Sequence, residues 1–463
     1  MSNIPNILPT AKTTSGMNPA SPGCQFSLPE GQYSPRSSTP VTWRMPRALL
    51  SIGLALCGVS ATFAQSLPPW DLEPVDDIVN GVANHMTADR AGNVFVAGSV
   101  SVAGVPHTCL TRGSNQGDTW TSNLYDLVDA YIGGIAAATI EIAPAHLEDQ
   151  LVMVIRASTA QWTTLRSLNA GETWETVDSF TPASIPGYSS GCTGGVAIDS
   201  AGNIYVAGYS RKTITTVVKN KTSTSYAWYW VVRKIPKDAT AAKTTFELPD
   251  TVSPIVGSWP IGVTCVGTNV FVAGNSGDRW QVRKYSGSGA TWELVDNFRY
   301  DPNYPSTAKS ITADGAGNLY VVGWGTRPVG SARLQATAGY WIVRKGTGVG
   351  AGSFQPLDTF EFETNKGAIA HGVSVDPVGN VHVTGFAGST VGSYVVNHWI
   401  TRRLPAGSGG TWATTDHYFL SPSNTAVGYN IVADSAGNVF AAGLANNGTS
   451  DHYWVVRRQL AAP

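Results

Sequence analysis

Arginine and aspartate return along this sequence in matched positions. Arg112, Arg166, Arg233, Arg283, Arg344, Arg402 and Arg457 each follow a short apolar or aromatic run, and Asp178, Asp296, Asp358 and Asp416 each close a run led by Thr-Trp or a looser form of it. Guanidinium and carboxylate on neighbouring antiparallel strands make a bidentate, charge-assisted bridge. A reaction centre needs one constellation unlike its surroundings, whereas these pairs repeat. The sequence therefore predicts a structural bridge inside every repeat. Glycoside hydrolysis needs something else, two carboxylates facing each other across the bond with one pKa raised. Asp301, Glu361 and Glu363 are the candidates by position, but nothing in their spacing enforces that pairing. His371 is a candidate general base, since imidazole titrates near neutrality. The plainer expectation for it is a hydrogen-bonded wall residue. No catalytic residue, metal or cofactor is therefore assigned.

A second set is better suited to binding than to reaction. Tyr188, Trp259, Arg299, Tyr300, Asp301, Tyr304, Lys309, His371 and Tyr429 combine aromatic faces with hydrogen-bonding groups. That combination holds a sugar or a peptide.

The elements that must position these residues are repeats. Asp199-Ser-Ala-Gly-Asn-Ile-Tyr-Val-Ala-Gly208 has near-copies over 89–98, 314–323, 376–385 and 434–443, and a worn copy over 265–274 in which Cys265 replaces the Asp. Each copy reads as a hairpin. One strand ends at the Asp, whose carboxylate accepts turn N–H groups, Gly and Asn supply the positive φ of the reversal, and a β-branched run begins the next strand. Turn capping explains every copy, and Cys265 shows that the carboxylate is dispensable, so these Asp residues are not read as metal ligands. After each copy comes a Trp-x-x-Arg strand, as at Trp230, Trp280, Trp341, Trp399 and Trp454, and then a Thr-Trp strand, as at Thr173, Thr291 and Thr411. One unit thus holds four strands, called a, b, c and d in chain order.

Spacing sets the number of units. Successive copies from position 199 start 66, 49, 62 and 58 residues apart, while 110 residues separate Asp89 from Asp199. Leu151–Ile155, Trp162, Arg166 and Trp174 fill that double gap as a degenerate unit. The expectation is an all-β fold, a closed seven-bladed β-propeller with four antiparallel strands per blade, inside the usual range of roughly four to eight blades. The last unit ends at Arg457 without a Thr-Trp strand, and Trp70 to Asp76 resembles the missing piece. An N-terminal strand is therefore expected to complete the last blade and leave no open edge.

Residues 1–44 are rich in Pro, Ser, Thr and Asn, the composition of a disordered or untranslated extension. Residues 45–64 read as a signal peptide, with Arg44 and Arg47 flanking an apolar run and Thr62-Phe-Ala64 offering small residues for cleavage, and 65–463 as the propeller. Translation from Met45 would explain the odd preface. Beyond Ala64 no apolar run approaches the roughly twenty residues of a membrane span. Cys109, Cys192 and Cys265 form no disulfide framework or ligand spacing and are read as packed residues. Charged residues are 13% of the chain and its net charge is −1, with no basic stripe, which excludes nucleic acid as the expected partner. The one cationic cluster, Arg211 to Lys221, reads as a solvated loop.

Two resemblances follow from these motifs. Ser167-Leu-Asn-Ala-Gly-Glu-Thr-Trp174 resembles the Asp-box (BNR) turn with Asn169 in the Asp place, and the Asp-x-x-Gly-Asn copies resemble the bacterial seven-bladed SBBP repeat and, more distantly, the NHL repeat. The first family includes sialidases, but no Arg-Ile-Pro motif occurs here and sialidases have six blades. The second implies an exported or surface propeller that acts as a binding platform. The chain is expected to be a secreted, periplasmic or cell-surface monomer whose ligand, a glycan or a protein, meets the loop face. An Asp-box-type glycan hydrolase is the alternative. Any site is expected on the face of the d-to-a and b-to-c loops.

Overall fold

The computed structural model describes residues 69–71, 76–128, 130–143, 146–157, 161–182, 191, 194–219, 221–249, 257–329, 336–350, 352–448 and 452–461. All lie in the compact unit Ala64–Pro463. The proposed extension and signal peptide, Tyr188 and Cys192 fall outside them.

Seven four-stranded antiparallel sheets make up this unit. They span 81–125, 130–180, 196–249, 258–298, 306–360 and 368–418, with the seventh made of 426–459 and the strand Asp76–Val79. Among the described residues the helical content is one 3-10 turn, Asn115–Gly117. Neighbouring blades meet strand a to strand a around the whole ring, blade 7 against blade 1 included. The degenerate unit is blade 2, as its spacing required. In blade 7, Asp76–Val79 pairs with Tyr453–Val456. Trp70 lies buried beside Trp399 and Tyr418, and its indole donates to Thr415 at 3.4 Å. Trp412 donates in the same way to Leu357, one blade earlier, at 3.3 Å.

The strand c tryptophans hold the blades together. Trp162, Trp230, Trp280, Trp341, Trp399 and Trp454 are all fully buried. Each belongs to a core cluster shared with the next blade, and Trp454 packs against blade 1. The last glycine of the repeat receives this ring. A Cβ on Gly385 would lie 2.0 Å from the Ile369 carbonyl oxygen and 2.8 Å from Trp341, so no larger residue fits.

The Arg–Asp bridges form, but between blades, which corrects the expectation of a bridge inside each blade. Asp178 of blade 2 pairs with Arg233 of blade 3, Asp296 of blade 4 with Arg344 of blade 5, Asp358 with Arg402 of blade 6, and Asp416 with Arg457 of blade 7. A bulge is the reason. Strand d carries one extra residue just before the Asp, so Asp296 stands opposite Val282 and not Arg283. Neighbouring residues on a strand face opposite ways. Asp296 therefore faces blade 5 with Val282, while Arg283 turns back to lie 4.8 Å over the Trp230 ring of blade 3. The Arg partners also stack on strand d aromatics of the preceding blade, Arg344 on Phe298 and Arg402 on Phe360, each at 4.0 Å. The cationic cluster is likewise not a loop, because its β-branched residues pair as a long hairpin, Ile204–Val218 against Lys221–Ile235.

Candidate functional site

Strand a forms the wall of the central channel and carries a bulge at one repeated place. The pairing skips Asn84, Gly133, Ile261, Lys309, His371 and Tyr429 in blades 1, 2, 4, 5, 6 and 7. A bulge frees one residue from the ladder and re-aims its side chain. Here all but Gly133 line a channel cavity of about 660 Å³. The ring is unequal, with Lys, His, Tyr and Asn from blades 5, 6, 7 and 1 facing Ile and Gly. Seven-fold repetition is broken at this place, which is what a specific site requires.

Lys309, His371 and Tyr429 line this cavity together, on the inner wall and not on the loops. The His371 ring lies 5.3 Å from Tyr429, nearly perpendicular, and 5.7 Å from Phe386. Its Nε2 is buried without a hydrogen-bond partner. Burial, and then the nearby Lys309 charge, push His371 down to about 3, so it is neutral at pH 7. Burial also lowers the Lys309 amine and raises the Tyr429 phenol. His85, next to Asn84, is pushed down to about 4 by burial, against the pull of a hydrogen bond to the Ile132 backbone. No Asp or Glu occurs among the described residues lining this cavity. The sequence reading missed Asn84. Its signal was present, since Asn84, Lys309, His371 and Tyr429 each stand five residues ahead of a repeat Asp in a frame that otherwise recurs.

Several other candidates are occupied with turn structure. Arg299 pairs with Asp278 and donates to the Pro302 carbonyl. Asp301 accepts the Asn303 amide at 2.9 Å, and its carbonyl accepts that of Tyr304. The Tyr300 amide donates to Ser306 at 2.9 Å, and its ring lies 5.4 Å from Tyr340. The carboxylates considered for hydrolysis are engaged too. Glu361 accepts the Asn365 amide at 2.8 Å, and Glu363 accepts from Ser389 and Thr390. Trp259 stands apart in a rim cluster, 6.0 Å from Trp228 and 6.5 Å from Tyr209, with Arg211 5.3 Å over Trp228. It is partly exposed, at 37%.

The opposite end of the channel is a different environment. Asp89, Asp314, Asp376 and Asp434 line a cavity of about 420 Å³ there. Their carboxylates are capped by the turns, as expected. Asp314, for example, accepts the Asn318 amide at 2.8 Å and its side chain at 2.7 Å. Burial works to raise Asp314, and these hydrogen bonds outweigh it. The Asn169 turn of blade 2 is built alike, with Asn169 accepting the Thr173 amide at 2.9 Å and donating to its hydroxyl at 2.8 Å. Among the described residues no group of three or more His, Cys, Asp or Glu is placed to hold a metal ion. No helix among them is long and apolar enough to cross a membrane.

No family model matches this chain, and no curated protein does. Among solved structures it is similar to Raptor of Chaetomium thermophilum, at 11% identity over 86% of this chain and 29% of that one, TM-score 0.46. It is also similar to an ulvan lyase, at 13% identity over 70% and 80% of the two chains, TM-score 0.46. An α-L-arabinofuranosidase of Fusarium graminearum matches at 11% identity over 85% and 97%, TM-score 0.39. Identities this low say nothing about ligand or reaction.

Proposed function

We propose that this chain is an exported bacterial propeller of the SBBP-repeat kind, with degenerate Asp-box turns, that binds a glycan at the channel mouth. The observation that carries this reading is the unequal bulge ring, which gathers Lys309, His371, Tyr429 and Asn84 in a cavity with no described carboxylate. A glycosidase needs two opposed carboxylates, whereas Asp301 and Glu361 cap local turns and Glu363 accepts from Ser389 and Thr390. Trp259, partly exposed, offers aromatic surface for a sugar ring. Export rests on the signal-like segment 45–64, and the protein acts as a secreted, periplasmic or surface monomer.

The test is a long incubation on a glycan array, read both for retained protein and for sugars removed. Retention without loss is the expected result. Removal of terminal sugars would establish the Asp-box-type hydrolase instead. Silence in both readouts, with capture of a protein ligand, would replace the glycan by a protein partner.

A further inference from the structure

A buried ammonium is costly unless something pairs with it. Lys309 is half-buried on the channel wall, and among the described residues no carboxylate lies within ion-pair distance of it. The groups around it do not supply the missing charge. His371 is neutral, as is His85, and Tyr429 holds its proton. The other bulge residues lining the cavity, Asn84 and Ile261, are uncharged. The channel is also polarised along its length, with Lys309 in the half nearer the d-to-a loops and the four repeat Asp residues at the far mouth. An anion is thus attracted to the Lys309 level and repelled from the far end.

We propose that this level of the channel binds the carboxylate of an acidic sugar, a uronate residue of a glycan, with Lys309 as its counter-ion. This rests on the reading of the channel mouth as the glycan site and names what that site selects. The Lys309 ammonium makes a charge-assisted hydrogen bond to the carboxylate. Tyr429 and Asn84, two and three blades further round the same cavity, offer neutral donors to the rest of the sugar, and the His371 and Tyr429 rings, nearly perpendicular to each other, add apolar surface. A cavity of about 660 Å³ takes a sugar residue of this size with room for a neighbour. Sugar is favoured over an acidic peptide because one cation, and not a row of them, meets aromatic faces.

The test compares two probes by titration calorimetry on the purified chain, a glucuronate-containing oligosaccharide and the same oligosaccharide with its carboxyl groups reduced to alcohols. The acidic probe is expected to bind at least tenfold more tightly, the effect of about one charge-assisted hydrogen bond. Lys309→Met should remove that advantage by weakening the acidic probe at least tenfold more than the reduced one, and Lys309→Arg should keep most of it. Thermal unfolding of Lys309→Met at or above the wild-type temperature would show that the fold is intact. Equal binding of both probes, insensitive to Lys309→Met, would overturn the carboxylate site and leave the glycan reading standing. Binding of neither probe, together with binding of a glutamate-rich peptide lost in Lys309→Met, would overturn the sugar and the glycan reading together.

Discussion

The bridge between Asp296 of blade 4 and Arg344 of blade 5 offers the sharpest test of how this ring is held. Both side chains are nearly out of solvent, at 5% and 8% exposure. Arg344 Nε lies 3.0 Å from one carboxylate oxygen and its Nη2 2.9 Å from the other. Asp296→Asn leaves the guanidinium buried with no counter-charge, a change that costs about 3–5 kcal/mol. Arg344 would keep its hydrogen bond to the Phe354 carbonyl at 3.0 Å and its place on Phe298, which points to the lower end, about 3 kcal/mol. A double-mutant cycle in urea, followed by tryptophan fluorescence and circular dichroism with coincident midpoints, separates the pairings. Asp296 and Arg344 should couple by about 2 kcal/mol, against less than about 0.5 kcal/mol for Asp296 and Arg283 of the same blade. Coupling to Arg283 with none to Arg344 would refute the account of the strand d bulge.

Three more outcomes follow from the packing. Gly385→Ala should lower stability by about 3 kcal/mol in urea unfolding, because its Cβ has no space, whereas Gly315→Ala, open to solvent, should stay within about 0.5 kcal/mol. Trp70→Ala should cost about 3–5 kcal/mol, and a thermal melt unchanged by it would show that this tryptophan does no work in blade 7. Burial outweighs Arg402 at Asp358 and pushes its carboxyl up to about 6. The folded state thus holds a proton there that the unfolded chain has released, so relative to Asp358→Asn the wild type should gain stability as pH falls from about 6 to 3.8 and be level outside that window. Thermal melts of the two proteins across that range measure the difference.

Most of the architecture was legible because it is written many times. The turn Asp, the strand c Trp and the glycine that receives it recur in almost every unit, and each serves the same local need wherever it stands. Trp162 and Arg166 were enough to place blade 2, though its hairpin sequence had lost the repeat. The partner of each Asp was not legible, because a single bulge residue such as Val295 carries no mark of being unpaired, yet it decides which way Asp296 faces. The loop residues Arg299, Asp301 and Tyr304 pose a related problem. A polar, aromatic loop has the same composition whether its groups close a turn or await a ligand, and here Arg299 and Asp301 engage Asp278, Pro302 and Asn303 while Tyr304 contributes its backbone amide.

The bulge position explains why unlike residues collect where they do. Elsewhere on the inner wall, neighbouring strands press on one another. A Cβ on Gly372 would lie 2.9 Å from the Asn430 backbone of the next blade, and Ser374 of blade 6 donates no freedom either, since its hydroxyl accepts the Ala433 amide at 3.0 Å. Contacts of that kind limit what these two positions can hold. The bulged residue is released from the ladder and, Gly133 aside, lines the cavity. Lys309, His371, Tyr429, Asn84 and Ile261 can therefore differ without disturbing the ring. A propeller built from like blades acquires a specific site by varying the residue that its own symmetry does not constrain.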